Sequence, residues 1–464
     1  MTKKLPLSLG LLLVSACAVG PDYERPPVET PNAFKEAGEW RVAKPEDAVD
    51  REQWWGIYND PILNALEKQI DVSNQTLKQA EANYRAAVAI ADQTRAGLFP
   101  TVAVGPSVVR QGAGTHSAAT TYDLSAGATW SLDIWGRVRR EVESNEATAQ
   151  ADAALIASAR LSAQAELATD YFSLRTQDEL QRILDETVKD DNKILTIIKN
   201  QYAQGVAAQS DVLSAQTLAE GANATAVGNS IKRAQLEHAI AVLVGQSPSD
   251  FALPVTVKIG TVPMIPAYVP SALLERRPDI ATAERQMASA NALIGVAEAA
   301  YYPDVTLSAS YGFGASSLGH LFDAAATLWS FGASASETVI DFGARDAATE
   351  EARATFDSTV ANYRQVTLTA FQNVEDNLVA QRILVDQEKA QNIATADARK
   401  SEEVALNQYK EGIIPYNNVL TTQVTRLADE EASLTVLGDR LSASVALIEA
   451  LGGGWTVAQL PKPE

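Results

Sequence analysis

Two spacings of apolar residues alternate along this chain, and each occurs twice. Over residues 122–133 the period is two: Tyr122, Leu124, Ala126, Ala128, Trp130 and Leu132 share one face, while Asp123, Ser125, Gly127, Thr129, Ser131 and Asp133 share the other. Residues 304–314 repeat it, with Val305, Leu307, Ala309, Tyr311 and Phe313 set against Asp304, Thr306, Ser308, Ser310, Gly312 and Gly314. A period of two marks a β-strand with unlike faces. Weaker partners cover residues 101–109 and 328–342, so the pattern predicts two hairpins with strands at about 101–111, 121–134, 303–314 and 328–342. Glu337 is an unexplained charge on the apolar face of the last strand.

After each hairpin the spacing changes to three and four. Residues 345–411 place Phe356, Val360, Tyr363, Val366, Phe371, Val374, Leu378 and Leu384 at helical intervals, with no proline or glycine before Gly412. At ~1.5 Å per residue, a continuous helix of that length extends on the order of 100 Å. Residues 137–204 do the same through Leu161, Ala165, Ala168, Phe172, Leu180, Leu184, Leu195, Ile198 and Tyr202. Helices so long and rich in alanine predict close coiled-coil packing; an ordinary helical bundle leaves the strands unexplained.

Each long helix stops at a copy of one signature. QYAQGVAAQSDVLSAQ fills residues 201–216, and QYKEGIIPYNNVLTTQ follows 207 positions later at residues 408–423. Gly205 and Gly412 suit the left-handed residue that closes a helix. Asp211, and Asn417 or Asn418, suit the N-cap of a returning helix that runs to about Val244 or Leu451. Each signature is therefore expected at the tip of a helical hairpin.

Other landmarks recur as well. Phe99-Pro100 and Tyr302-Pro303 end helical segments, and Asp133-Ile134-Trp135-Gly136-Arg137 answers to Asp341-Phe342-Gly343-Ala344-Arg345. The chain is an internal duplication. It divides into a first repeat at 61–247, a Pro-rich connector at 248–278 holding six prolines, a second repeat at 279–451 and a tail at 452–464.

Composition removes several classes of function. The formal charge of -20 argues against nucleic acid as a partner. His116, His238 and His320 are the only histidines and lie apart, which leaves no cluster to hold a metal. No Walker loop, nucleophile elbow or spaced nucleophile and base is present, so an enzyme has little to work with. At the start, Lys3 and Lys4 precede an apolar stretch too short to span ~30 Å of hydrocarbon, which predicts a signal peptide at 1–16. Val14-Ser15-Ala16-Cys17 resembles a bacterial lipobox, and Cys17 is the only cysteine. The alternative is an ordinary signal with an incidental cysteine. Lipid on Cys17 makes 17–60 a lipid-anchored segment, with no cofactor expected beyond that covalent lipid. By analogy with lipoprotein sorting, Ala18 favours the outer membrane. Without Lys3 and Lys4 the balance is 36 basic against 58 acidic residues, or -22.

Such strands also occur in soluble sandwiches. Here each approaches the ~9–11 residues of a tilted membrane strand, with aromatic residues toward its ends and a small, polar second face. Barrels begin at about eight strands, and an open edge in lipid costs several kcal/mol per unpaired amide. Four strands per chain therefore require an oligomer; three chains give twelve strands.

CAVGPDYERP at 17–26, QWWGIYNDPIL at 53–63, LERRPDIATAERQMASANALIGVAEAAYYPDVTLSASYG at 274–312 and AFQNVEDNL at 370–378 resemble the TolC-type outer-membrane efflux proteins, in the lipoprotein branch that serves RND pumps. The resemblance covers nearly the whole chain. It implies a mainly α fold with membrane β, in which a homotrimeric α-barrel in the periplasm continues into a 12-stranded β-barrel across the outer membrane. It implies a passive exit duct for small molecules, with a periplasmic adaptor protein at the tips and an inner-membrane RND transporter supplying energy. By match to the tip motif, Gly205, Val206, Gly412 and Ile413 are adaptor contacts, and Asp211, Tyr409, Asn418 and Thr421 fall near the periplasmic gate. TolC itself carries aspartates at the positions of Asn418 and Thr421 and an arginine at that of Ile414, so closure here is expected to rely on neutral hydrogen bonds and packing, with Asp211 the main remaining tip carboxylate. The alternatives are an exit duct of type I protein secretion and a soluble coiled-coil adaptor, which lacks duplicated amphipathic strand pairs.

Overall fold

The computed structural model describes residues 18–37, 53–112, 118–263, 265 and 273–462. The expected signal peptide, Cys17, His116 and parts of the anchor segment and the connector lie outside these residues. Helices α1 (Pro61–Ser73) and α2 (Gln75–Ala96) lead to strands β1 (Thr101–Gln111) and β2 (Ala119–Leu132), then to α3 (Arg137–Ala203) and α4 (Gln209–Leu243). A short α5 (Leu273–Arg276) and α6 (Pro278–Ala299) precede β3 (Asp304–Ala315) and β4 (Thr327–Ser336), which feed α7 (Ala344–Lys410) and α8 (Tyr416–Ala450). Helices α3 and α7 each contain 67 residues. No helix among the described residues is long and apolar enough to cross a membrane.

The two hairpins merge into one antiparallel sheet in the order β1-β2-β3-β4. Its register carries the alternation across all four strands. Val104, Ala126, Tyr311 and Trp329 form one cross-strand row, and Val102, Ala128, Ala309 and Phe331 the next. On the opposite face the rows are Ala103, Gly127, Ser310 and Ser330, and Thr101, Thr129, Ser308 and Gly332. The Ser310 and Ser330 hydroxyls lie 2.8 Å apart. A one-residue slip between any two strands would mix these faces. β1 is exposed along its whole length, and among the described residues the outer edges of β1 and β4 have no partner strand.

β4 is shorter than the alternation predicts and ends at Ser336, so Glu337 follows the strand instead of standing on its apolar face. The reason lies in its neighbour. Ser336 pairs with Asp304, and the residue before that is Pro303, which has no N–H to extend the ladder.

Between sheet and helix, an aspartate in each repeat turns the chain. Asp133 accepts from the backbone N–H groups of Val138 (2.9 Å) and Arg139 (3.0 Å) at the start of α3. Asp341 accepts from those of Gly343 (3.1 Å) and Arg345 (3.4 Å) at the start of α7. Gly136 and Gly343 are left-handed, with φ of 81° and 88°, a conformation that glycine adopts without strain. Across the same junction Trp135 stacks on Tyr302, with ring centroids 4.7 Å apart, and its indole N–H donates to Pro303 O at 2.9 Å.

The largest core lies midway along the long helices, where Trp54, Trp55, Tyr58, Leu167, Tyr171, Phe172, Val374 and Val445 pack together. The connector is fastened beside it. Buried Arg175 pairs with Asp178 at 2.9 Å and donates to Pro254 O at 2.8 Å, while Asp178 also receives Arg233 at 2.7 Å.

Asp133→Ala removes two caps and an ion pair to Arg139. It is expected to destabilise the start of α3 by ~1–2 kcal/mol, read as a lower midpoint when helical circular dichroism is followed on heating.

Candidate functional site

The repeated signatures form identical turns at the free ends of two helical hairpins. In the first, Gly205 N–H donates to Tyr202 O and Val206 N–H to Gln201 O, both at 2.9 Å; in the second, Gly412 and Ile413 make the matching bonds to Tyr409 and Gln408, also at 2.9 Å. This pair of bonds closes a helix with a left-handed residue, and both glycines have φ of 74°. A side chain added at either glycine would meet nothing within 4 Å, so it is the backbone angle that calls for glycine there. Val206 and Ile413 project beyond the turns, 75% and 64% exposed. Lone apolar side chains at such positions are available to a partner.

The returning helices start earlier than expected. The N-cap of α4 is Ala208 and that of α8 is Pro415, neither of which can accept with its side chain. Asp211 is therefore not the N-cap. It stands three residues inside α4, where its carboxylate reaches back to Ala208 N–H at 3.3 Å. Asn417 and Asn418 likewise lie inside α8, and Asn418 N–H bonds to Pro415 O at 3.2 Å. The closing turn is tight enough to restart the helix before these polar residues are reached.

Of the expected gate residues, Tyr409 makes the bond between hairpins. Its hydroxyl donates to Gln201 Oε1 at 2.6 Å, and its ring lies 5.6 Å from that of buried Tyr416. Burial pushes the Tyr409 pKa up and the negative charge of Asp211 adds to the shift, so the phenol stays a donor. Asn418 and Thr421 lie elsewhere. Both line a groove of about 680 Å³ between α7 and α8, with Asp397, Lys400, Gln408 and Ile414. Thr421 spends its hydroxyl on Asn417 O at 2.9 Å. Tyr409 thus meets Gln201, and Asp211 reaches it only through its field. Neither Gln201 nor Tyr416 stood out in the sequence, although Gln201 opens the repeated signature.

Residues 66–246 and 269–453 match the outer membrane efflux protein family. The chain belongs to that family. Over 98% of its length this efflux protein is 30% identical to the probable efflux pump outer membrane protein TtgC of Pseudomonas putida, covering 96% of that relative. Among solved structures it resembles the outer-membrane channel OprN, with a TM-score of 0.88 at 28% identity over 95% of this chain and 100% of the other. It also resembles the open state of the Neisseria gonorrhoeae MtrE outer membrane channel, with a TM-score of 0.84 at 28% identity over 95% and 99% of the two chains. The fold of the efflux protein is that of the TolC-type channels, a helical barrel continuous with a 12-stranded β-barrel to which each chain gives four strands. Proteins of this family are channels and transport components of the outer membrane.

Tyr409→Phe deletes the hydrogen bond between the hairpins while keeping the ring. A loss of ~1 kcal/mol should multiply the open time in planar-bilayer recordings by about five. Asp211→Asn, whose carboxylate serves its own helix, should leave the closed state unchanged.

Proposed function

We propose that this protein is the outer-membrane duct of a tripartite RND-type efflux pump, a passive path for small molecules from the periplasm to the exterior. The sheet carries this reading. One of its faces is apolar and aromatic, the other small and polar, and both its edges are bare, so it fits a membrane only as one third of a closed cylinder. Three copies of the chain supply that closure. The apolar rows with Trp329, Phe331 and Tyr311 meet outer-membrane lipid, and the serine, threonine and glycine rows face a wet lumen.

Below the sheet, the long helices extend as a hollow barrel into the periplasm. Their tips, with Gly205, Val206, Gly412 and Ile413, meet a periplasmic adaptor protein, and through it an inner-membrane RND transporter that supplies the energy. Tyr409 holds the periplasmic end closed through its bond to Gln201, with Asp211, Asn418 and Thr421 beside it in the gate region. Cys17 carries covalent lipid, which adds an anchor independent of the barrel.

Native mass spectrometry from detergent is expected to give three copies, and planar bilayers a conductance; monomers stable without detergent would refute the duct. Cys17→Ser should abolish palmitate labelling, yet leave the protein in the detergent-requiring fraction because the barrel remains.

A further inference from the structure

Above Tyr409 and Gln201, the contact between the two hairpins is layered. First comes an apolar layer in which Ile194, Ile198, Ala215, Ala405, Tyr416 and Val419 pack together. Next, moving away from the tip, is a buried polar layer that the gate region does not include. Gln423 of α8 donates to Asp191 of α3 at 3.1 Å. Arg426 of α8 donates to Thr187 of α3 at 3.3 Å, and pairs with Glu402 of α7 and Glu430 of α8, both at 2.5 Å. Arg399 of α7 holds the other oxygen of Glu430 at 2.6 Å. Thr187, Asp191, Gln423 and Glu430 are each more than nine-tenths buried. A single arginine thus ties three helices of both hairpins. Beside this layer α4 stands away from α8, leaving a groove of about 720 Å³ walled by Leu213, Leu218, Ala222, Leu420, Val424 and Leu427. The polar layer joins α3, α7 and α8 along one side of this groove, where Thr187, Asp191 and Gln423 also line it.

The duplication does not account for this arrangement. The positions 207 residues from Asp191, Arg426 and Glu402 hold Ala398, Ala219 and Leu195. In a ring of three copies, the seam between neighbours would set α7 beside the next copy's α4, as α3 sits beside α8 within one copy. There the positions matching Asp191 and Arg426 are both alanine, so this carboxylate and this arginine have no counterpart in that seam.

We propose that Arg426 is a positioning residue for the channel's closed state, and that the layer it organises with Asp191, Gln423, Thr187, Glu402 and Glu430 is a pH-responsive latch between the two hairpins. This rests on the reading of the chain as a duct. Truncating Arg426 strands Glu402 beside Glu430, and such a loss in a buried network costs more than the loss of a solvated pair. Asp191 makes the latch sensitive to protons. Its Oδ2 is buried without a donor, as is Gln423 Oε1, so a proton on the carboxyl relieves the cost of burying it. Burial pushes its pKa up to about 6; Arg426 opposes the shift, while Glu402 and Asp190 add to it. Glu402 is raised too, chiefly by burial and against the pull of Arg426. The other groups in reach are Arg399, Glu430, Glu431 and the Tyr416 phenol, and the α4 wall of the groove is uncharged. A pKa raised in the closed seam means that the closed seam binds the proton more tightly than the open, hydrated one. Closure is therefore favoured as pH falls through about 6, and that contribution is lost as pH rises through it.

Planar-bilayer recordings of the purified trimer between pH 5 and 7.5 test this. The wild type should open less often at the acid end. Asp191→Asn, permanently neutral and nearly isosteric, should hold the acid-like opening frequency across the range. Arg426→Gln should raise opening about tenfold at pH 7.5, the factor matching loss of a hydrogen bond to a charged partner. A wild-type pH profile in Asp191→Asn overturns the proposal, and so does unchanged opening in an Arg426→Gln protein that remains trimeric. Should Arg426→Gln fail to assemble, the Asp191→Asn profile decides alone. A wild-type trimer without any conductance overturns the duct reading itself, and this latch with it.

Discussion

Hydrocarbon offers no hydrogen bonds, and that single constraint organises the molecule. A sheet four strands wide leaves two rows of peptide groups unsatisfied at β1 and β4, and only further copies of the same sheet can pair them in the right register. Closure of the barrel sets how the chains are arranged beneath it. Each strand pair runs into a helix through an aspartate cap and a left-handed glycine, so the ring of strands hands its geometry to a ring of helices.

The helical part meets the opposite problem. It stands in water and must pack long rods side by side with little apolar side-chain volume. Alanine solves it along most of the contact, as at Ala215, Ala219 and Ala405 near the tips. Where α3, α7 and α8 meet, charged and amide groups are buried among the rods. Such groups are costly to bury, but they bond in only a few geometries and thus define one arrangement of the hairpins.

Much of this was legible in the sequence, because periodicity reports which face of an element is buried. The strands showed themselves through alternation, and the hairpin tips through a repeated glycine signature. What failed to show depends on neighbours far along the chain. The end of β4 is set by Pro303, just before the adjacent strand, and nothing near Ser336 announces it. The N-caps were misplaced because Asp211, Asn417 and Asn418 are good caps by residue type, while the turn geometry starts both helices before them. Asp191 and Arg426 sit in heavily charged helical stretches that read as solvated, and their shared layer exists only once α3 lies against α8. The contact between Tyr409 and Gln201 is made by neutral groups, and the charged groups that join the hairpins lie farther from the tips.

The uninterrupted 67-residue helices have one more consequence. With no glycine, proline or bulge to absorb a change in length, the distance from sheet to tips is a ruler marked in steps of ~1.5 Å per residue. Any machine that couples to the tips must be built to the depth this ruler dictates, and an envelope that widened by even one helical turn would pull the two apart.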